Sequence, residues 1–271
     1  MNGFVLLLFV LCSSCASVFA YFYPEKTHLM DFVEHIEISE FRSGMRNVDC
    51  IYVLNLEERR ERWERSQRYF QEQGLFPNRV NAINGWKMPY WKRAVITGPY
   101  LIRMPAGLLA CTLGHVGIYK DAYDRGWNAA WICEDDMEFV ATAKYVDEMI
   151  DELNCLDPEW DLFYTDLVRH GNGTQDPRPG QPLFPSEFQQ INEHFYKIHS
   201  RCLNHSIIFS RRGLEKLVAF YEHVYLWSPI DIDIHYAPNL KEYSSAKDLV
   251  TRVRSGSFSD TETGSTLNDS H

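Results

Sequence analysis

Trp131-Ile132-Cys133-Glu134-Asp135-Asp136-Met137-Glu138 is a short apolar run that stops in three consecutive carboxylates. A buried strand ending this way concentrates like charges at one point, where their repulsion is costly unless a cation or a hydrogen-bond network offsets it. A divalent metal would do so; a solvated acidic turn after a strand is the plainer alternative. Successive residues of an extended segment point to opposite faces, so Glu134 and Asp136 share one direction and Asp135 takes the other.

Outward from this run, apolar periodicity alternates between strand and helix. Upstream, Val48 to Leu54 predicts a strand, followed by a helix that carries Trp63 and Phe70 and stops at Gly74. A second strand is expected from Arg79 to Ile83, then the Asn84-Gly85 turn and an aromatic, Gly- and Pro-bearing loop over 86–105. A helix from about 106 to 125 carries Leu109, Leu113, Val116 and Tyr123, and Ala129 to Cys133 is the strand that ends in the carboxylates. Downstream come a helix over 142–154, a strand over 160–167, a long loop over 169–190, a strand over 203–209 and a helix capped by Ser210. The turn Pro229-Ile230-Asp231-Ile232-Asp233 follows. This βαβ alternation predicts an α/β fold with a mostly parallel central sheet and helices on both faces. In such sheets ligands bind beyond the carboxyl ends of the strands.

The chain of 271 residues, 45% hydrophobic and 14% aromatic, has material for one sizeable core. Its net charge of -10 argues against a nucleic-acid partner, which calls for a basic face. Residues 1–20 read as a signal peptide or short membrane anchor, 21–46 as a lead-in with Phe32, Val33 and Ile36 as an apolar stripe, 47–243 as the functional domain, and 244–271 as a disordered polar tail. The leader predicts a secretory or export route, lumenal or periplasmic, with membrane association and a cytoplasmic face if it is kept as an anchor. The 7 cysteines lack zinc-finger or knottin spacing and read mainly as small hydrophobes. Asn172, Asn204 and Asn268 match the glycosylation sequon.

Three segments together carry a resemblance. Ile51-Tyr52-Val53-Leu54-Asn55-Leu56-Glu57-Glu58-Arg59-Arg60-Glu61-Arg62 ends a strand in Asn-Leu-x-x-Arg-x-x-Arg, Gly107 to His115 is a Gly-x-x-x-Cys-x-x-x-His helix, and Glu134-Asp135-Asp136 closes a strand. Over roughly residues 48 to 236 the chain resembles glycosyltransferase family 25, which includes lipopolysaccharide sugar transferases and collagen galactosyltransferases. The resemblance implies a GT-A-like nucleotide-diphospho-sugar transferase fold. It also implies transfer of a hexose, galactose or glucose, from a UDP-sugar to a glycan, lipopolysaccharide or hydroxylated protein acceptor.

Such a donor loses a diphosphate whose charge grows as the glycosidic bond breaks. Hard oxygen ligands holding Mn2+ or Mg2+ against that diphosphate would stabilise it. On this reading Asp136 is the direct metal ligand, Glu134 a second ligand or nucleotide contact, and Asp135 a further donor-site residue; Glu138 is solvated. Arg59 and Arg62 match the family's arginines and suit a diphosphate, with intrahelical pairing to Glu58 or Glu61 as the alternative. Asn55 is expected to bond the base or ribose, or to satisfy its own backbone. His115 has the family's histidine position, and a satisfied core histidine is its alternative reading. An inverting transfer needs a base for the acceptor hydroxyl. The resemblance implies an important aspartate at the Pro229 turn; Asp231 is the choice for base, with Asp233 or His235 as alternates, one of which could complete the metal shell instead, and a capped turn as the plainer reading. Rival functions are an exported carbohydrate-binding or adhesion protein with an inactive transferase fold, and a sugar-phosphate hydrolase.

Overall fold

A computed structural model describes residues 29–100, 104–167, 178 and 188–253. The leader, most of the loop over 169–190 and the chain from residue 254 onward lie outside the described residues.

Strand β1 (Cys50–Leu56) is buried through Asn55, and its side chains divide with a period of two. Cys50, Tyr52 and Leu54 enter one hydrophobic layer, Ile51 and Val53 the other. In β3 (Ala129–Glu134) the same rule sends Ala130 and Ile132 one way, Trp131 and Cys133 the other. The first layer is closed by helices α3 (Ala106–Asp124) and α5 (Arg211–Tyr221), through Leu109, Leu113 and Val116 and through Leu214, Leu217 and Tyr221. Helices α1 (Arg60–Glu72) and α4 (Ala143–Leu156) close the second, with Phe70, Val146, Met149, Ile150 and Leu153. Helices therefore cover both faces, as the strand–helix alternation predicts. Trp131, fully buried, keeps its indole N–H satisfied by Ser206 Oγ at 2.9 Å.

Completing the sheet are β2 (Pro77–Ala82), β5 (Leu162–Leu167), β6 (Phe188–Gln190), β7 (Phe195–Ile198), β8 (Ser206–Ser210) and β9 (Glu242–Ser245). Their order, β2-β1-β3-β8-β5-β9-β7-β6, is mixed rather than mostly parallel. β2, β1 and β3 run parallel, as do β5 and β9, but β8 is antiparallel to both β3 and β5. A parallel neighbour needs a crossover that carries the chain back along the sheet, commonly a helix. Among the described residues no helix lies between β5 and β8, and β8 enters the slot from the opposite end.

Two further expectations change. Residues 86–105, read as a loop, contain α2 (Tyr90–Thr97), ended by Gly98 at φ 51°. A Cβ there would meet the Tyr225 ring at 2.8 Å, so the turn needs glycine for space as well as for conformation. Residues 244–253, read as the start of a polar tail, are structured instead: β9 extends to Ser245 and β10 (Val250–Arg252) pairs antiparallel with β4 (Met137–Phe139). Leu249 and Val250 are both buried in the second layer; two adjacent apolar residues are too few to show a period. Among the described residues the lead-in forms a 3-10 turn (Leu29–Phe32) and an irregular strap, tied down by Asn78, whose Oδ1 accepts from the backbone N–H groups of Ser39 and Glu40. The five cysteines among the described residues are free.

Leu249 N–H donates to Thr165 O at 2.8 Å and Val253 N–H to Asp136 O at 2.7 Å. Native-state amide exchange should therefore show both amides protected with the core. Exchange at the rate of an unstructured peptide would remove β10 from the fold.

Candidate active site

The parallel register of β1 and β3 sets Leu54 opposite Glu134, so both strands end at one level. Beyond that level opens a cleft of about 100 Å³, lined by Leu56, Asn84, Trp86, Gly107, Arg62 and the three carboxylates among others. This is the carboxyl-end position expected of a ligand site in an open α/β sheet. The turn after β2 closes its floor: a Cβ on Gly85 would lie 1.9 Å from the Ala106 carbonyl oxygen, so only glycine permits this approach to the start of α3.

The carboxylates are handled separately. Asp135 turns toward α1, accepting from Asn55 Nδ2 at 2.6 Å and pairing with Arg62 at 3.4 Å, while its carbonyl receives Ser66 Oγ and Arg65. Burial pushes its pKa up to about 6, with Asn55 and Arg62 pulling the other way. Asp136 Oδ2 is held by Arg252, whereas its Oδ1 is buried with no hydrogen-bond partner. Burial, reinforced by the charge of Glu134, raises the Asp136 pKa. For Glu134 burial acts in the same direction, but His115, His205 and Arg252 outweigh it and hold the carboxyl below its usual range. Its Oε1 lies 3.5 Å from His115 Nε2. Asp135 does part from its two neighbours, but the extended strand expected there stops at Glu134: Asp135 and Asp136 form the turn that leads into β4, and this turn sets their directions.

Asn55 does not face a ligand. It is 1% exposed; its amide donates to Asp135 and to the Arg59 carbonyl, and its Oδ1 accepts two bonds from Arg79 at 2.6 and 2.9 Å. With both donors and both lone pairs used, it has nothing left for a base or ribose. Arg62 lines the cleft, while Arg59 stands at the N-cap of α1, outside that lining.

A second cavity, of about 200 Å³, adjoins the first and shares Cys111, Glu134 and Arg252 with it. Asp231 lines it, its Oδ2 accepting from Leu203 N–H at 3.0 Å. Burial and the charge of Glu134 raise the Asp231 pKa, against the pull of that N–H. Asp233 is elsewhere. Ile230–Asp233 forms a helical turn, α6, rather than an extended segment, so the two aspartates diverge by about 200°. Asp233 is wholly buried in an ion pair with Arg178 at 2.9 Å. His235 is also structural: Nδ1 faces Glu242 at 3.0 Å and Nε2 meets the Arg201 backbone at 3.0 Å. Neither alternate base nor the proposed histidine ligand reaches the cleft.

Three contributors were not singled out in the sequence. Arg252, which lies in the stretch read as a tail, projects into both cavities. His205 and Asn204 line the second cavity, 4% and 3% exposed, with their side-chain nitrogens and the Asn204 oxygen lacking hydrogen-bond partners. Orphaned buried polar atoms on a cavity wall mark where a polar ligand would be held. Their one sequence signal is polarity at the start of an apolar strand. Asn204, counted above as a sequon, is too buried in the folded chain to serve as one.

Comparison with known proteins agrees with this geometry. Over 216 residues the chain is 25% identical to procollagen galactosyltransferase 2 of Mus musculus, covering 74% of this chain and 33% of that protein. It is 27% identical over 126 residues to procollagen galactosyltransferase 1 of Danio rerio, 43% of this chain and 21% of the relative. A glycosyltransferase 25 family member of Drosophila melanogaster is 29% identical over 121 residues, 41% of this chain and 19% of the other. The chain thus spans about a third or less of these relatives. Residues 48–233, well over half of the chain, match the family described as Glycosyltransferase family 25 (LPS biosynthesis protein), and the chain belongs to glycosyltransferase family 25.

Proposed function

We propose that this protein transfers a hexose from a UDP-sugar to a hydroxyl acceptor, with inversion at the anomeric carbon and with manganese or magnesium bound. The observation that carries this reading is the pairing of two cavities across Glu134: an acidic cleft with two arginines on one side, Asp231 with unpartnered polar groups on the other. Galactose is the first candidate, supported by the names of the relatives. The acceptor class is a glycan, a lipopolysaccharide or a hydroxylated protein.

The residues present suit a hard divalent ion. Asp136 Oδ1 is a buried carboxylate oxygen without a partner, and Glu134 lines the same cleft, so Asp136 and Glu134 would hold the metal. Once bound, the ion supplies Lewis-acid stabilisation of the leaving diphosphate. Arg62 and Arg252 add positive charge to that cleft, and guanidinium groups match phosphate oxygens bidentately. Asn55 and Arg79 act one step back, fixing Asp135 beside Arg62. In the second cavity Asp231 takes the proton of the acceptor hydroxyl as that oxygen bonds to the anomeric carbon; the bond from that carbon to the diphosphate breaks with its electron pair leaving on the diphosphate. His205 and Asn204 are placed to orient the acceptor. A hydrolase would need this cavity to seat only a water, about 30 Å³. The cavity volume of about 200 Å³ supports a larger acceptor.

Three outcomes check the reading. UDP should bind much more tightly with manganese than with a chelator, and Asp136→Asn should abolish that difference in a protein that still melts cooperatively. Equal UDP binding with and without metal in the unmodified chain refutes the metal assignment.

Asp231→Asn should lower kcat by roughly a hundredfold or more with little change in donor affinity. A parallel fall in UDP affinity would place Asp231 in the donor site instead. Normal turnover in a folded variant would remove it from the mechanism.

The third outcome is the pH profile. A base acts ionised, and burial raises the Asp231 pKa, so activity should fall as pH drops through a value above the ordinary aspartate pKa of about 3.9. A profile flat down to that ordinary value contradicts a buried aspartate base.

A further inference from the structure

We propose that Cys111, His115 and Glu134 form a second metal site, selective for zinc-class ions, at the wall between the two cavities. Cys111 and His115 are four residues apart on α3, and residues so spaced lie one above the other on one helix face. That is the separation at which a helix offers two ligands to one ion. The Cys111 sulfur, a His115 ring nitrogen and a Glu134 carboxylate oxygen all lie within 4.8 Å of one another. Ligands around a tetrahedral zinc stand about 3.3–3.8 Å apart, given bonds of about 2.0–2.3 Å. The His115–Glu134 contact of 3.5 Å already meets that spacing, so the site needs only a small rotamer adjustment at the cysteine.

The second observation is His115 itself. Its side chain is 1% exposed; Nδ1 has no hydrogen-bond partner, and the nearest acceptor to Nε2 is Glu134 Oε1 at 3.5 Å, too long for a well-formed bond. A core histidine held for packing normally has at least one nitrogen satisfied, by carbonyl, hydroxyl or water. The neighbouring Tyr119 ring, 6.2 Å away between centroids, provides packing and no bond to either nitrogen.

Donor chemistry separates this site from the oxygen-lined one. A thiolate and an imidazole favour zinc over manganese or magnesium, which prefer carboxylate oxygens. On binding, Cys111 loses its thiol proton to solvent and its sulfur lone pair bonds to the ion; no electron changes hands. Three protein ligands leave a fourth position, and Cys111 and Glu134 both border the two cavities, so that position opens onto the ligand space. Glu134 is common to both sites. Zinc therefore withdraws it from the hard-ion site, and zinc should inhibit a manganese-supported reaction.

Cobalt(II) reports thiolate ligation directly, without UDP, acceptor or turnover, so the outcome is independent of the transferase reading. The full chain carrying Cys155→Ser, which removes an exposed thiol, is stripped with chelator and titrated with cobalt. The expected result is one equivalent bound with a sulfur-to-cobalt charge-transfer band and intense tetrahedral visible bands, all displaced by zinc. Cys111→Ser in this background should remove the charge-transfer band. His115→Gln should weaken zinc binding by more than the roughly 10–100-fold that loss of a supporting partner brings. Asp136→Asn should leave the band in place. Absence of the band in the folded parent, or its survival in Cys111→Ser, overturns the site. Should the variants fail to fold, zinc-edge X-ray absorption of the parent decides: one sulfur with nitrogen and oxygen neighbours supports the site, and a shell without sulfur refutes it.

Discussion

Three adjacent carboxylates at the end of a buried strand are the constraint around which this molecule is arranged. Left together in a low-dielectric pocket they would repel and take up protons. The fold answers by giving each a different environment. Asp135 is drawn to Asn55 and Arg62, Asp136 to Arg252, and Glu134 to His115 with help from His205. Helix α1, helix α3, β10 and His205 just before β8 thus all contribute to one charge balance, and the elements that surround the cleft are those needed to hold the acids there.

This arrangement also assigns unequal freedom. Asp135 spends both oxygens on protein partners, and Asn55 beneath it spends every hydrogen-bonding atom it has. Both belong to the supporting frame, where a fully satisfied polar network rigidifies its surroundings. Asp136 retains an unpartnered buried oxygen and Glu134 touches only an imidazole at 3.5 Å. An unsatisfied buried polar atom has a cost, and sites that bind charged ligands are where such costs concentrate. The same logic sorts the aspartates after Pro229, where Asp233 is neutralised by Arg178 and Asp231 is left facing a cavity.

Much of the frame was legible in the chain. Strands with apolar residues on both faces, a helix stopped at Gly74, a Ser210 cap and the acidic strand end follow from local periodicity and turn chemistry, which depend on near neighbours. The mixed direction of the sheet was not legible. Alternating strands and helices look alike whether a late strand enters from one end or the other, and β8 closes its slot by pairing with β3 and β5, both distant in sequence.

At the site the boundary falls in the same place. The sequence by itself determined that carboxylates would crowd the carboxyl end of β3, and the family pattern put an aspartate at the Pro229 turn without separating Asp231 from Asp233. Each statement rests on local apolar periodicity or on a family pattern within a short segment. Only the tertiary structure decided that Asp233 and His235 turn away, that Asn55 is consumed by Arg79 and Asp135, and that Arg252 comes back from the end of the described chain to meet Asp136. The physical reason is that burial and pairing are relations between segments dozens to more than a hundred residues apart, and an isolated motif carries no record of the partner that will neutralise it.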